Sequence, residues 1–192
     1  MSREFELKYR ATVDAQAAIA AAFGSGFEEI SMETTYYDTP DRQLSAQRYT
    51  LRRRLENGVS VCTIKTPAKG HGRGEWEYGA QRIEDAIPEL CKLGGPESLL
   101  AFTDGQLVPI CAARFTRLAK TVVLDNCTLE LALDRGVLLG GNQEEPLCEV
   151  EVELKSGPEA AAVAFAALLA DKFGLIPEEK SKFRRALALA DQ

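Results

Sequence analysis

The sequence predicts an α+β protein whose strands close into a barrel around a charged interior, with helices outside. Three observations lead there. Several strand-like stretches alternate apolar with charged residues, their charges are sorted strand by strand into acidic and basic sets, and helical signals are few. Successive side chains of a strand leave opposite faces, and like charges side by side on one face repel. Rolling the sheet sets acidic strands opposite basic ones around one cavity, while the apolar faces turn outward to the helices. This inverts the ordinary small barrel, whose inside is filled by hydrophobes. Unpaired ions held inside are costly, so such an interior points to a ligand. A cation suits paired carboxylates and a polyanion suits arginines, and a face holding both suggests a metal-bound polyphosphate.

In chain order, EFELKYR (residues 4–10) sets Glu4, Glu6 and Lys8 on alternate positions, a pattern that a water-facing strand explains when taken alone. A helix follows over Val13–Phe23, stopped by Gly24. YTLRRRL puts Arg52 and Arg54 on one face, and VCTIK puts Thr63 and Lys65 opposite Cys62 and Ile64. The Gly-rich KGHGRGE lacks the GK[ST] ending of a P-loop, and His71 within it reads as a loop residue. GEWEY sets Glu75 and Glu77 against Trp76 and Tyr78, and a short helix spans about 85–93 before Gly94. TLELALD places Glu130 and Asp134 against three leucines, and CEVEVELK places Glu149, Glu151 and Glu153 against Val150, Val152 and Leu154. A long helix over residues 158–173 has Pro at its start and Gly174 past its end. A basic helix closes the sequence over about 178–189.

The 192 residues, 45% of them hydrophobic, suit one well-cored domain, residues 1–192. With 23 Lys+Arg against 29 Asp+Glu, the net charge of -6 excludes general attraction to nucleic acid or an anionic membrane, so any anion site is local. No apolar run approaches a membrane span and no signal-peptide core is seen at the start, which leads to a cytoplasmic expectation. Five cysteines without a C-x-x-C pair argue against both a disulfide framework and zinc. Cys148, beside an acidic strand, reads as packing.

At this point the residues carry a family likeness. Glu4-x-Glu6-x-Lys8, then Tyr36-Tyr37-Asp38-Thr39-Pro40-Asp41, Leu51-Arg52-Arg53-Arg54, Thr63-Ile64-Lys65, Glu75/Glu77, Leu133-Asp134-Arg135-Gly136, Glu149/Glu151/Glu153 and Ser181-Lys182 together resemble the CYTH superfamily, the triphosphate tunnel metalloenzymes. The ordered series spans nearly the whole chain. EPLCEVEVELKSG is most similar to bacterial inorganic triphosphatases, in which a helical CHAD domain often follows. The resemblance implies an antiparallel, eight-stranded closed barrel forming a tunnel, with helices outside. It also implies that Lys8, Arg52, Arg54, Lys65, Arg117 and Lys182 bind a triphosphate, while Glu4, Glu6, Glu75, Glu77, Glu130, Asp134, Glu149, Glu151 and Glu153 ligate metal or support its ligands.

The implied reaction is Mg²⁺- or Mn²⁺-dependent cleavage of inorganic triphosphate, or of another triphosphate-bearing small molecule, with Lys8, Lys65 and Glu151 as the catalytic candidates. Class IV-type adenylate cyclase, thiamine triphosphatase and a non-catalytic polyphosphate binder stand as alternatives, no nucleic-acid or membrane partner is expected, and a homodimer stays open. One departure from the family pattern concerns Ala119, where a second basic residue is common two positions after Arg117. Either Arg114 or Lys120 replaces it, or the interior is less basic than usual.

Overall fold

The computed structural model describes residues 5–67, 73–102 and 106–191; Glu4 and His71 lie outside them. Its strands are β1 (Glu6–Arg10), β2 (Glu28–Asp38), β3 (Thr50–Glu56), β4 (Val59–Pro67), β5 (Arg73–Tyr78), β6 (Val108–Val123), β7 (Thr128–Gly140), β8 (Gln143–Ser156) and β9 (Ile176–Pro177). The helices are α1 (Val13–Phe23), α2 (Gln43–Ala46), α3 (Ile83–Lys92), α4 (Glu159–Phe173) and α5 (Lys182–Ala190), with a 3-10 turn over Glu97–Phe102.

The expected closed eight-stranded barrel is not what forms. The strands make one nine-stranded antiparallel sheet in the order β5-β4-β3-β2-β6-β7-β8-β1-β9, and no ladder joins the edges β5 and β9 among the described residues. Edge chemistry gives the reason. β9 is two residues long and ends on Pro177, which has no N–H to offer a further partner, while past Tyr78 the chain leaves β5 for α3. The sheet curls around its charged side without sealing it.

The apolar faces do turn outward, as the alternation requires. On one half of the sheet Leu129, Leu131 and Leu133 of β7 and Val150 and Val152 of β8 pack under Ile19 of α1 and Ala162, Ala166 and Leu169 of α4. On the other half Leu51, Cys62 and Ile64 pack under Ile83, Ile87 and Leu90 of α3 and Leu99 of the 3-10 turn. Each of these buried Leu, Ile and Val side chains contributes about 1.5–3 kcal/mol relative to exposure. α1 begins as its sequence suggests, with the Thr12 hydroxyl accepting from Ala15 N at 3.1 Å.

α5 departs from the expectation of outer helices. It lies on the charged side of the sheet, over the far ends of β6, β7 and β8, where Ala186 joins Met32, Tyr36, Phe115, Leu138 and Leu147 in a third core. Part of the concave face is therefore apolar. Gly140 permits this approach, since a Cβ there would stand 2.2 Å from the Ala186 carbonyl oxygen. Gly140→Ala is expected to lower stability by about 1–3 kcal/mol, the usual scale of overpacking, with loss of amide-exchange protection concentrated in α5. Unchanged protection there would contradict this seating of the helix.

Candidate functional site

Register brings the sorted charges together. Lys65 faces Glu75 and Thr63 faces Glu77 across β4 and β5, Arg52 faces Thr63 across β3 and β4, and Arg54 faces Thr34 across β2 and β3. On the other limb Glu6 and Lys8 of β1 face Glu153 and Glu151 of β8, which in turn face Glu130 and Ala132 of β7. Arg117 of β6 faces Asp134. Between the limbs lies a cavity of about 1170 Å³ lined by Glu6, Lys8, Arg52, Arg54, Lys65, Glu75, Glu77, Arg117, Glu130, Glu151, Glu153 and Lys182. Asp134 and Glu149 do not line it but lie fully buried beneath it.

Around β3 to β5 the ion pairs of Arg52 are wide. Lys65 Nζ is 3.2 Å from Glu75, and Arg52 Nη2 stands 3.8 and 3.9 Å from Glu75 and Glu77. Arg54 Nε donates to the Thr34 hydroxyl at 3.1 Å; burial lowers the pKa of this guanidinium, with Arg52 adding to the effect. Arg52 Nε is buried and has no acceptor among the described residues. A buried donor left unmet is costly, so this N–H is a natural place for an incoming anionic oxygen.

The opposite limb is tightly knit. Lys182, the first residue of α5, directs its ammonium at Glu149 Oε2 and Glu151 Oε1, both at 2.6 Å, and at Asp134 Oδ2 at 2.8 Å. Arg117 grips Asp134 through two bonds of 2.7 and 2.8 Å and Glu151 through one of 2.5 Å. Arg185, one turn beyond Lys182, pairs with Glu149 and Glu145, and Glu178 bridges on to Arg10. Burial alone would raise the Glu151 carboxyl, but Lys182 and Arg117 outweigh it and hold Glu151 well below the usual carboxylate range. Burial likewise opposes the charge on Lys182, yet Glu151, Asp134 and Glu149 keep its ammonium well above the ordinary lysine value. Burial pushes the Glu149 carboxyl up, offset in part by Lys182 and Arg185.

Asp134, Glu149 and Glu151 each bring a carboxylate oxygen within 4.8 Å of the others. This all-oxygen set fits a hard divalent cation of the Mg²⁺ or Mn²⁺ kind. The same oxygens now accept from Lys182, so any metal bound there competes with that ammonium.

The Ala119 question is settled by an unbroken β6–β7 register, in which Arg117 faces Asp134, Ala119 faces Ala132 and Lys120 faces Leu131. Lys120 points outward and donates to the Phe23 and Ser25 carbonyls at the end of α1, at 2.5 and 2.6 Å. Arg114 turns away as well, toward Glu33 at 3.7 Å. Neither replaces the missing cation. Asp38 serves the turn, accepting from Thr39 N, Leu44 N and Ser45 N at 2.8–2.9 Å. Sequence reasoning missed Arg185, Glu178 and Gln16, and took Tyr36 only as part of the family-like motif. Tyr36 lines the cavity, with its ring 5.0 Å from that of Phe183 and its hydroxyl pKa raised by burial. The spacing of Lys182 and Arg185, three apart on one helix face, was the readable signal for Arg185.

The antiparallel sheet curls around one cavity lined by arginine, lysine and carboxylate side chains. The chain belongs to the CYTH domain family, whose model matches residues 2–187. It is 34% identical over 134 residues to the inorganic triphosphatase of Haemophilus influenzae, an alignment covering 68% of this chain and 38% of that protein. Its fold resembles that of HpAC1 from Hippeastrum, described as having a dominant triphosphatase activity (TM-score 0.69, 17% identity, 97% and 96% of the two chains). It also resembles the PH1819 protein of Pyrococcus horikoshii (TM-score 0.62, 21% identity, 98% and 99% of the two chains). No helix among the described residues is long and apolar enough to cross a membrane.

Removing one partner of a buried ionic cluster costs about 3–5 kcal/mol, so Lys182→Met is expected to destabilise the chain strongly near pH 7. Glu151 has its pKa depressed in the fold, so its charge stabilises the folded state above the ordinary carboxylate value, about 4.3, and that contribution is lost as pH falls toward the lower folded value. The wild type therefore loses what the variant already lacks. The stability gap between them, measured by urea unfolding, should be widest near neutrality and narrow below about pH 4. An equal gap at both pH values would show that charge pairing is not what Lys182 supplies.

Proposed function

We propose that the chain is a metal-dependent triphosphatase that hydrolyses inorganic triphosphate to diphosphate and phosphate. The observation that carries this reading is the convergence of Lys8, Arg52, Arg54, Lys65, Arg117 and Lys182 on one cavity that also presents carboxylates. The likeness to a relative named inorganic triphosphatase supports it. Water adds to a terminal phosphorus, one P–O–P bond breaks, and the proton leaves with the solvent.

Phosphoryl transfer asks for positioning and charge neutralisation more than covalent chemistry. Arg52 and Arg54, with planar forks, suit multi-oxygen contacts to phosphoryl groups, while Lys8, Lys65 and Lys182 act as point charges. Asp134, Glu149 and Glu151, with Glu6, are the residues that would hold Mg²⁺ or Mn²⁺, and Glu75, Glu77, Glu130 and Glu153 would support them. Bound there, a divalent ion neutralises phosphate charge and makes a coordinated water more acidic. Lys8 and Lys65, which line the cavity from opposite limbs, would steady charge developing on the leaving and attacked groups.

Phosphate release from inorganic triphosphate, ATP and thiamine triphosphate, each with Mg²⁺ or Mn²⁺, tests the reading. Inorganic triphosphate should be the best substrate and chelation should abolish turnover. Cyclic AMP formation from ATP, or triphosphate binding without hydrolysis, would replace this reading with a cyclase or a binding module. Two variants test individual roles. Glu151→Gln should lose about 100-fold or more in kcat, on the scale of removing an electrostatic group, while isothermal titration still detects triphosphate. Ala119→Lys adds a cation beside Arg117 on the inner face and should tighten triphosphate binding; unchanged or weaker binding would speak against a phosphoryl group lying there.

A further inference from the structure

α1 packs on the outer side of the sheet and is built mostly of alanine, yet its Gln16 is buried. A buried amide in an apolar setting is costly unless satisfied, and this one is satisfied in a particular way. Its Nε2 donates one hydrogen to the Asp134 carbonyl at 2.9 Å and the other to the Glu149 carbonyl at 2.8 Å, while Oε1 accepts from Arg135 Nε at 3.1 Å. The amide's orientation is fixed by chemistry, because a guanidinium only donates and carbonyls only accept.

Asp134 and Glu149 face each other across β7 and β8. On the concave side of the same strands their carboxylates meet at the Lys182 ammonium. One amide therefore straps together, from behind, the two backbones whose side chains form the carboxylate cluster. We propose that Gln16 is a positioning residue that sets the spacing of Asp134 and Glu149, and through it the cluster's affinity for a divalent cation. This role rests on the metal-dependent reading above. Partners that orient metal-binding groups typically change metal affinity by about 10–100-fold when removed.

The test measures Mn²⁺ binding to the purified chain by electron paramagnetic resonance, with no substrate present, in the wild type, Gln16→Leu and Lys120→Ala. Lys120→Ala removes bonds that anchor the end of the same helix, away from the strap, and so controls for general loosening of α1. Gln16→Leu is expected to weaken Mn²⁺ binding about tenfold and to lower kcat on triphosphate more than it changes KM, whereas Lys120→Ala lowers Tm and leaves Mn²⁺ affinity unchanged. If Gln16→Leu fails to fold, Gln16→Glu keeps the shape and the Arg135 contact but, ionised, donates to neither carbonyl, and is expected to weaken Mn²⁺ likewise. Wild-type Mn²⁺ affinity in a folded Gln16 variant, or equal weakening in Lys120→Ala, overturns the strap. A wild-type chain that binds no Mn²⁺ overturns the metal-dependent reading and the strap with it.

Discussion

Three carboxylates from two neighbouring strands, Asp134, Glu149 and Glu151, converge on one ammonium group, that of Lys182. Without a cation, such a cluster under the sheet's concave face could not stay ionised, because burial and mutual repulsion both favour protonation. The pairing does two things at once. It lets acidic side chains occupy the inner face, and it fastens α5 across one end of that face, where Tyr36 and Phe183 and the core around Ala186 complete the seating. Folding and site are thus coupled through Lys182, with Arg185 of the same helix pairing with Glu149 beside it. The other limb is built differently, with Arg52, Lys65, Glu75 and Glu77 spaced more widely and Arg52 Nε unmet. One side of the cavity is already neutralised, and on the other Arg52 Nε has no acceptor among the described residues.

Much of this fold was readable because alternation is a local signal. Leu129, Leu131, Leu133, Val150 and Val152 face out beneath helices, and their charged neighbours face in, as period-two patterning requires. α1 spans the residues that its apolar run and Gly24 marked. Closure was not readable. It depends on whether two distant edges pair, and one of those edges is the two-residue β9, too short to leave a pattern. The side on which α5 docks was also hidden, since it rests on the missing Cβ of Gly140, some 40 residues earlier.

The site was legible where charges repeat on a strand and illegible where a single residue acts alone. Arg52, Arg54, Glu149 and Glu151 announce themselves by repetition, and register brings Arg52, Arg54 and Glu151 to one cavity with Glu149 buried beneath it. Gln16 carries no such signal; only its burial behind Asp134 and Glu149 shows what it touches. Lys120 was ambiguous because one residue of slippage would reverse its face. The regular β6–β7 ladder resolves that ambiguity, leaving Ala119 inside and Lys120 as an anchor for α1.

On the reading proposed above, a triphosphate lies between the two limbs of the curled sheet. A crystal structure of the chain with triphosphate and Mn²⁺, the metal located by its anomalous signal, tests this most directly. Phosphoryl oxygens are expected on Arg52, Arg54 and Lys65 from one side and on Lys8 and Lys182 from the other, with the metal on the carboxylates. Triphosphate bound on the outer, helix-covered surface, or a cavity that stays empty at saturating triphosphate, would contradict it.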